Sequence, residues 1–106
     1  MSAVDEIQAA IDKLTKLRDE STSGPWWAWH PESGRGNSSV DAPSGDPDNP
    51  KMPVEGERDD VDLIVTLHAT IDAQLAWLGV AATVPVLNES AWRYELALAR
   101  AINGTP

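Results

Sequence analysis

Apolar residues recur at helical spacing near both ends of the chain and just past its middle, and a polar, proline-rich stretch separates these blocks. In the first block Val4, Ile7, Ile11 and Leu14 step by three, four and three, with Ala10 and Leu17 broadening the stripe. That period predicts an amphipathic helix over 3–19. Its start carries Ser2-Ala3-Val4-Asp5, which resembles a capping box with Asp in place of Glu. Asp5 and Glu6 lead while Lys13, Lys16 and Arg18 follow, an order that suits the helix dipole. Ser21, Ser23, Gly24 and Pro25 end the helix.

The pattern then changes period. Trp26-Trp27-Ala28-Trp29-His30 has high strand propensity, and in a strand Trp27 and Trp29 share one face with Trp26 on the other. Pro31 and the Ser-Gly-Arg-Gly-Asn sequence at 33–37 read as a turn, and 38–42 as a short returning strand, so 26–42 is a hairpin or irregular segment. A lone hairpin is marginal and must pack on something else. Pro43, Pro47, Pro50 and Pro53 punctuate 43–57, which predicts a Pro/Gly-rich loop, disordered or an extended meander, with no helix or central strand through it.

The longest periodic run follows. Val61, Ile64, His68, Ile71, Leu75 and Leu78 lie on one stripe, and Leu63, Leu67 and Trp77 widen the apolar surface beyond it. The reading is one long helix over 58–82, the central member of the fold and a subunit interface. Pro85 breaks the chain, and Asn88 is an N-cap candidate for a last helix over 86–103, striped by Trp92, Leu96 and Ala99. Asn103-Gly104 supplies a left-handed C-cap. The expected fold is therefore mainly α: a single domain over 1–106, a three-helix antiparallel bundle with a small Trp-containing β-hairpin or irregular insertion between helix 1 and helix 2.

Composition adds bounds. At 106 residues the chain has room for a modest core, and without cysteine it has no disulfide framework and no thiolate chemistry. No signal peptide and no membrane-spanning run is read, so a cytoplasmic protein is expected. The net charge of −9 opposes direct binding to nucleic acid and favours basic partners.

Candidate chemistry is sparse. His68 and Asp72 are spaced to meet on one helical face, but a structural histidine is the favoured reading. Glu55, Glu57, Asp59 and Asp60 cluster at the entrance of the central helix. They explain part of the charge through the helix dipole and offer an acidic face to a partner. The spacing of Asp46 and Asp48, interrupted by Pro47 and Pro50, does not match a calcium loop, and no metal or cofactor is expected. Trp26, Trp27 and Trp29 either fill volume in a chain without phenylalanine or form a recognition surface. With His30 and Arg35 they would stack on a nucleobase, although no Gly-rich phosphate loop supports that use. No nucleophile–base pair is visible, so the chain reads as a non-enzyme.

The order of features resembles a known group. The turn Thr22-Ser23-Gly24-Pro25-Trp26 and the helix entrance Asp60-Val61-Asp62-Leu63-Ile64 look like those of small accessory proteins of bacteriophages, similar to the Ead-like proteins of lambdoid phages. Leu63-Ile64-Val65-Thr66-Leu67-His68, Ile71-Asp72-Ala73-Gln74-Leu75 and the closing Ala97-Leu98-Ala99-Arg100-Ala101-Ile102-Asn103-Gly104 resemble proteins of actinobacterial, mycobacteriophage-type phages more closely. The resemblance covers both ends of the chain. The tryptophan-dense strand and the Pro-rich middle depart from the pattern. It implies an accessory phage product without assigned chemistry, so no catalytic residue is carried over. The expectation is a protein that binds and modulates a host protein during infection, in host takeover or anti-defence, self-associating through helix 2. The alternatives are a binder that sequesters a nucleotide signal and an acidic mimic of DNA.

Overall fold

The computed structural model describes residues 2–83 and 93–105. The described residues form, in order, α1 (Ala3–Glu20), β1 (Trp27–Trp29), β2 (Ser38–Ala42), β3 (Lys51–Gly56), α2 (Arg58–His68), α3 (Ile71–Thr83) and α4 (Arg93–Asn103). They divide into two compact units: one contains α1, α3 and α4, the other is residues 21–70. Among the described residues four helices and a three-stranded antiparallel sheet make the fold α+β, and the expected three-helix bundle with a small hairpin is not what forms.

The first correction lies inside the long periodic run. The stripe over 58–82 is not one helix but α2 and α3. At the break the Thr70 N–H bonds the Leu67 carbonyl at 3.0 Å, and the Thr70 hydroxyl donates to that same carbonyl at 2.7 Å. An i−3 bond tightens the last turn, and a threonine hydroxyl competes for the carbonyl that the next helical N–H would use. Hydrophobic period does not register this, because the apolar phase resumes on the far side.

The second correction lies in the Pro-rich stretch. Residues 51–56, read as part of a loop, form β3. The sheet order is β1-β2-β3, so β3 is an edge strand. Val40 pairs with Val54 but Ala42 with Lys51, an irregularity of register that falls at Met52-Pro53. An edge strand at a bulge is where proline's missing N–H is tolerated. The rule against a central strand holds; the edge position is a property of topology.

In the helical unit α1 packs against both α3 and α4, more extensively than these pack against each other. The core is Ala3, Ile7, Ala10, Leu78, Ala81, Leu96 and Ala99, with Ile11, Ala82, Leu98 and Ile102 against it. Small alanines on each helix allow close approach, and Ile7 and Leu78 fill the space with no exposure at all. Truncating either to alanine costs on the order of 2–5 kcal/mol. Glu6 closes the unit beside this core: Arg100 Nε and Nη2 donate to its two carboxylate oxygens at 3.1 and 3.3 Å, and Asn103 Nδ2 donates to its carbonyl. Both ends of the unit are capped as the sequence predicts. Ser2 Oγ accepts from the Asp5 N–H while Asp5 Oδ2 accepts from the Ser2 N–H. At the C-terminus Thr105 N–H bonds the Arg100 carbonyl and Gly104 N–H the Ala101 carbonyl, a Schellman pair, with Gly104 at φ 73°. The expected start of this last helix, at Pro85 or Asn88, and Trp92 lie outside the described residues.

In the 21–70 unit the hairpin joins β1 to β2 with Trp27 opposite Asp41, Ala28 opposite Val40 and Trp29 opposite Ser39. Gly34 and Gly36 have positive φ in the connection, where a side chain would be strained. α2 packs against the sheet, and the buried apolar residues are Val40, Ala42 and Val61. The central strand β2 is buried along its whole length although Ser38, Ser39 and Asp41 are polar.

Candidate functional site

Alternation along β1 and the register with β2 sort the sheet into two faces. Ala28 and Val40 lie on one. His30 continues that face opposite Ser38, and its ring ties the sheet to α2. His30 Nε2 is 2.8 Å from Asp62 Oδ1, and Nδ1 is 2.6 Å from Ser38 Oγ. A carboxylate only accepts, so Nε2 carries the proton, and in the neutral ring Nδ1 accepts from the Ser38 hydroxyl. His30 is thus a strut between β1, β2 and α2.

The opposite face carries Trp27, Trp29, Ser39, Asp41 and Glu55, the last because Glu55 pairs with Ser39. Trp27 and Trp29 are 42% and 50% exposed, large apolar surface turned to solvent in a unit whose own helix covers the other face. Between them and β3, Ser39 and Asp41 are almost fully buried, and Ser39 Oγ donates to Asp41 Oδ1 at 2.6 Å. This face is the candidate site: two indoles beside two carboxylates, an arrangement that attracts a cation and repels a phosphate.

A groove of about 290 Å³ adjoins it, lined by Trp27, Pro43, Ser44, Gly45, Asp46, Pro47 and Pro50. The loop forming its other wall is tied together from within. Ser44 Oγ donates to the Asn49 carbonyl at 2.6 Å, and the Asn49 N–H returns to the Asp46 carbonyl at 3.1 Å. Asp46 Oδ1 accepts from the Asp48 N–H and Oδ2 from Asn49 Nδ2. The bond from Asn49, then that from Asp48, holds the Asp46 carboxyl below its ordinary value. Gly45 takes φ 85° at the bend. The expected disorder or open meander is replaced here by a hydrogen-bonded turn.

The other expected site residues go elsewhere. Trp26 lies just before β1 and stacks on His68 at the end of α2, centroids 3.6 Å apart and planes 7° from parallel. Its indole N–H donates to the Thr22 carbonyl at 2.8 Å. His68 therefore meets an aromatic ring, while Asp72, in a different helix, accepts from Arg18 Nη1 at 3.1 Å. Arg35 is exposed in the β1–β2 connection, its N–H bonded to Ser33 Oγ. Glu57 precedes α2, and Asp59 and Asp60 occupy its first turn, all exposed; only Glu55 of the acidic set joins the tryptophan face. Among the described residues no group of three or more His, Asp or Glu is placed to hold a metal ion.

Sequence reasoning passed over Asp41 and Ser39. The signal was present: a turn at 33–37 with a strand returning at 38–42 places Asp41 opposite Trp27. The closeness of Asp46 to Trp27 has no signal in the sequence, because it depends on how the loop folds back. No single helix among the described residues is long and apolar enough to cross a membrane. No protein-family model, curated protein or solved structure matches this chain.

Proposed function

We propose that the chain is a non-enzymatic interaction protein of a bacteriophage, which acts in the host cytoplasm by docking a host protein on the Trp27–Trp29 sheet face. The observation that carries this reading is the pair of half-exposed indoles on one face, flanked by Asp41 and Glu55. Exposed tryptophan is the residue type that most often anchors an interface. The flanking carboxylates and the net charge of −9 select a basic partner surface and speed its approach. The resemblance to accessory phage proteins supports host takeover or anti-defence as the setting. The nucleotide-sequestering reading is weakened by the same face, since two acids stand where a phosphate would need bases, and Arg35 and His30 lie off it.

The test is affinity capture from an actinobacterial lysate with the parent chain and a Trp27→Ala/Trp29→Ala variant whose circular dichroism matches the parent. Proteins and nucleotides in the eluates are identified by mass spectrometry. The reading expects a protein with a basic surface, retained by the parent and lost by the variant. A nucleotide eluting without protein, or a partner retained equally by both chains, overturns it.

A further inference from the structure

The three-stranded sheet has two edges, and they are built differently. β3 guards one of them. Pro53 removes a backbone donor from its middle, the register breaks between Val40 and Ala42, and the exposed Lys51 and Glu55 carry charge. Proline, a bulge and charged side chains are the devices by which proteins keep a free edge from pairing with another chain. β1, the other edge, has none of them. Trp27, Ala28 and Trp29 are uncharged, all three carry a backbone N–H, and their register with β2 is regular. In an antiparallel pair the backbone groups alternate between facing the neighbouring strand and facing away from it, so β1 keeps N–H and C=O groups on its outer side. Among the described residues no group outside β2 hydrogen-bonds to the backbone of Trp27, Ala28 or Trp29. Pro25 and Pro31 bound the open stretch, which limits an added strand to a few residues.

From this contrast we infer that β1 is a pairing edge, which takes one short, extended, basic segment of the partner protein as a fourth strand. A row of unpaired backbone donors and acceptors is matched by another extended backbone, whose main chain supplies the affinity. Trp27 and Trp29 then lie beside alternate side chains of the added strand, and contacts of indole with β-branched or apolar neighbours stabilise such a pair. The net charge of −9 selects a basic segment and opposes the other candidate occupant, a second copy of this chain pairing through the same edge. This inference rests on the interaction reading and specifies what the strand beside the tryptophan face receives.

The experiment is a heteronuclear NMR titration of the full chain, with amide exchange, using short blocked peptides of alternating threonine and valine. One has lysine at both ends, one has glutamate there, and the third is the lysine peptide N-methylated at every residue. N-methylation removes the backbone donors and leaves the side chains. The lysine peptide is expected to shift the 27–29 amides saturably and to slow their exchange, with 51–56 unchanged. The N-methylated peptide should do neither, and glutamate ends should weaken binding severalfold at low ionic strength. Trp29→Thr, which keeps strand propensity, should weaken binding by up to about fivefold, the upper range for one cross-strand pair. No response at 27–29, a response centred on β3, or equal binding of the N-methylated or glutamate peptide overturns the inference. Protection of 27–29 that grows with protein concentration in the absence of peptide assigns the edge to a second copy and overturns it as well. The two proposals fail separately. A captured partner that is lost by the Trp27→Ala/Trp29→Ala variant, but whose complex leaves amide exchange at 27–29 unchanged, sinks the added strand and leaves the interface. Peptide pairing at 27–29 with no partner captured does the reverse.

Discussion

Gly24 is the glycine with least room. A Cβ built there meets His68 Cε1 at 2.9 Å, and that imidazole cannot simply swing away because it is stacked on Trp26. Gly24→Ala is therefore expected to destabilise the 21–70 unit by about 1–3 kcal/mol, as overpacking does, and to separate the two rings. Denaturant unfolding followed by tryptophan fluorescence measures both, and an unchanged midpoint would show that His68 has a second resting place. Asp46 supplies a prediction about pH. Its folded-state value lies below the ordinary 3.8, so its contribution to the turn is complete above 3.8 and is lost as pH falls through the lower folded value. The Asp48 amide and the Asn49 side-chain amide should shift together over that acidic interval. A transition centred at the ordinary carboxylate value would mean that the two hydrogen bonds do not persist in solution.

Among the elements, α4 has the most complete stop signal. Gly104 sits at φ 73°, where a Cβ costs roughly 1–2 kcal/mol, while a Cβ there would meet no neighbouring atom. Gly104→Ala should cost about that amount through backbone strain alone, seen as a lower thermal midpoint with unchanged helical content above residue 93. α2 shows the opposite balance. Its inward positions are Val61, fully buried, with Ile64 and His68 partly so, but Leu63 and Leu67 stand more than half exposed one turn apart. We propose that the self-association expected from the sequence uses this exposed pair. Sedimentation of the parent chain is expected to show an oligomer, and Leu63→Glu/Leu67→Glu a monomer of native fold. A monomeric parent at high concentration would leave those leucines to another partner.

For the whole molecule, charge is the dominant property. With 17 acidic against 8 Lys and Arg residues, part of the negative charge has local employment: Glu6 holds Arg100, Asp72 holds Arg18, and Asp59 and Asp60 sit in the first turn of α2. Asp5, Asp41, Asp46 and Asp62 are engaged in hydrogen bonds as well, and the exposed carboxylates set the surface field. Its effect on partner capture should be on the association rate, so raising ionic strength should slow binding far more than it speeds release. The chain is also discontinuous in its architecture. The unit built from α1, α3 and α4 is interrupted in sequence by residues 21–70, which form their own sheet and helix.

Much of the local structure was written in the chain. Ser2 and Asp5 form their capping box, Asn103-Gly104 ends α4 in a Schellman pair, and 38–42 returns to pair with the tryptophan strand, because these signals act within a few residues and need no distant partner. The alternation that put Trp27 and Trp29 on one face and Trp26 apart from them was equally legible, since a period of two is a property of any strand. Three things were decided only in the tertiary structure. Whether 51–56 joins a sheet depended on β2 being there to pair with, and whether Pro53 was tolerated depended on β3 falling at the edge. Whether the long apolar run continued past His68 depended on the competition for one carbonyl at Leu67, which periodicity does not sense. Whether Trp26 became core or contact surface depended on His68, more than 40 residues away along the chain, lying flat against it. Helical and strand periods report which way side chains point, and only folding reports what they meet.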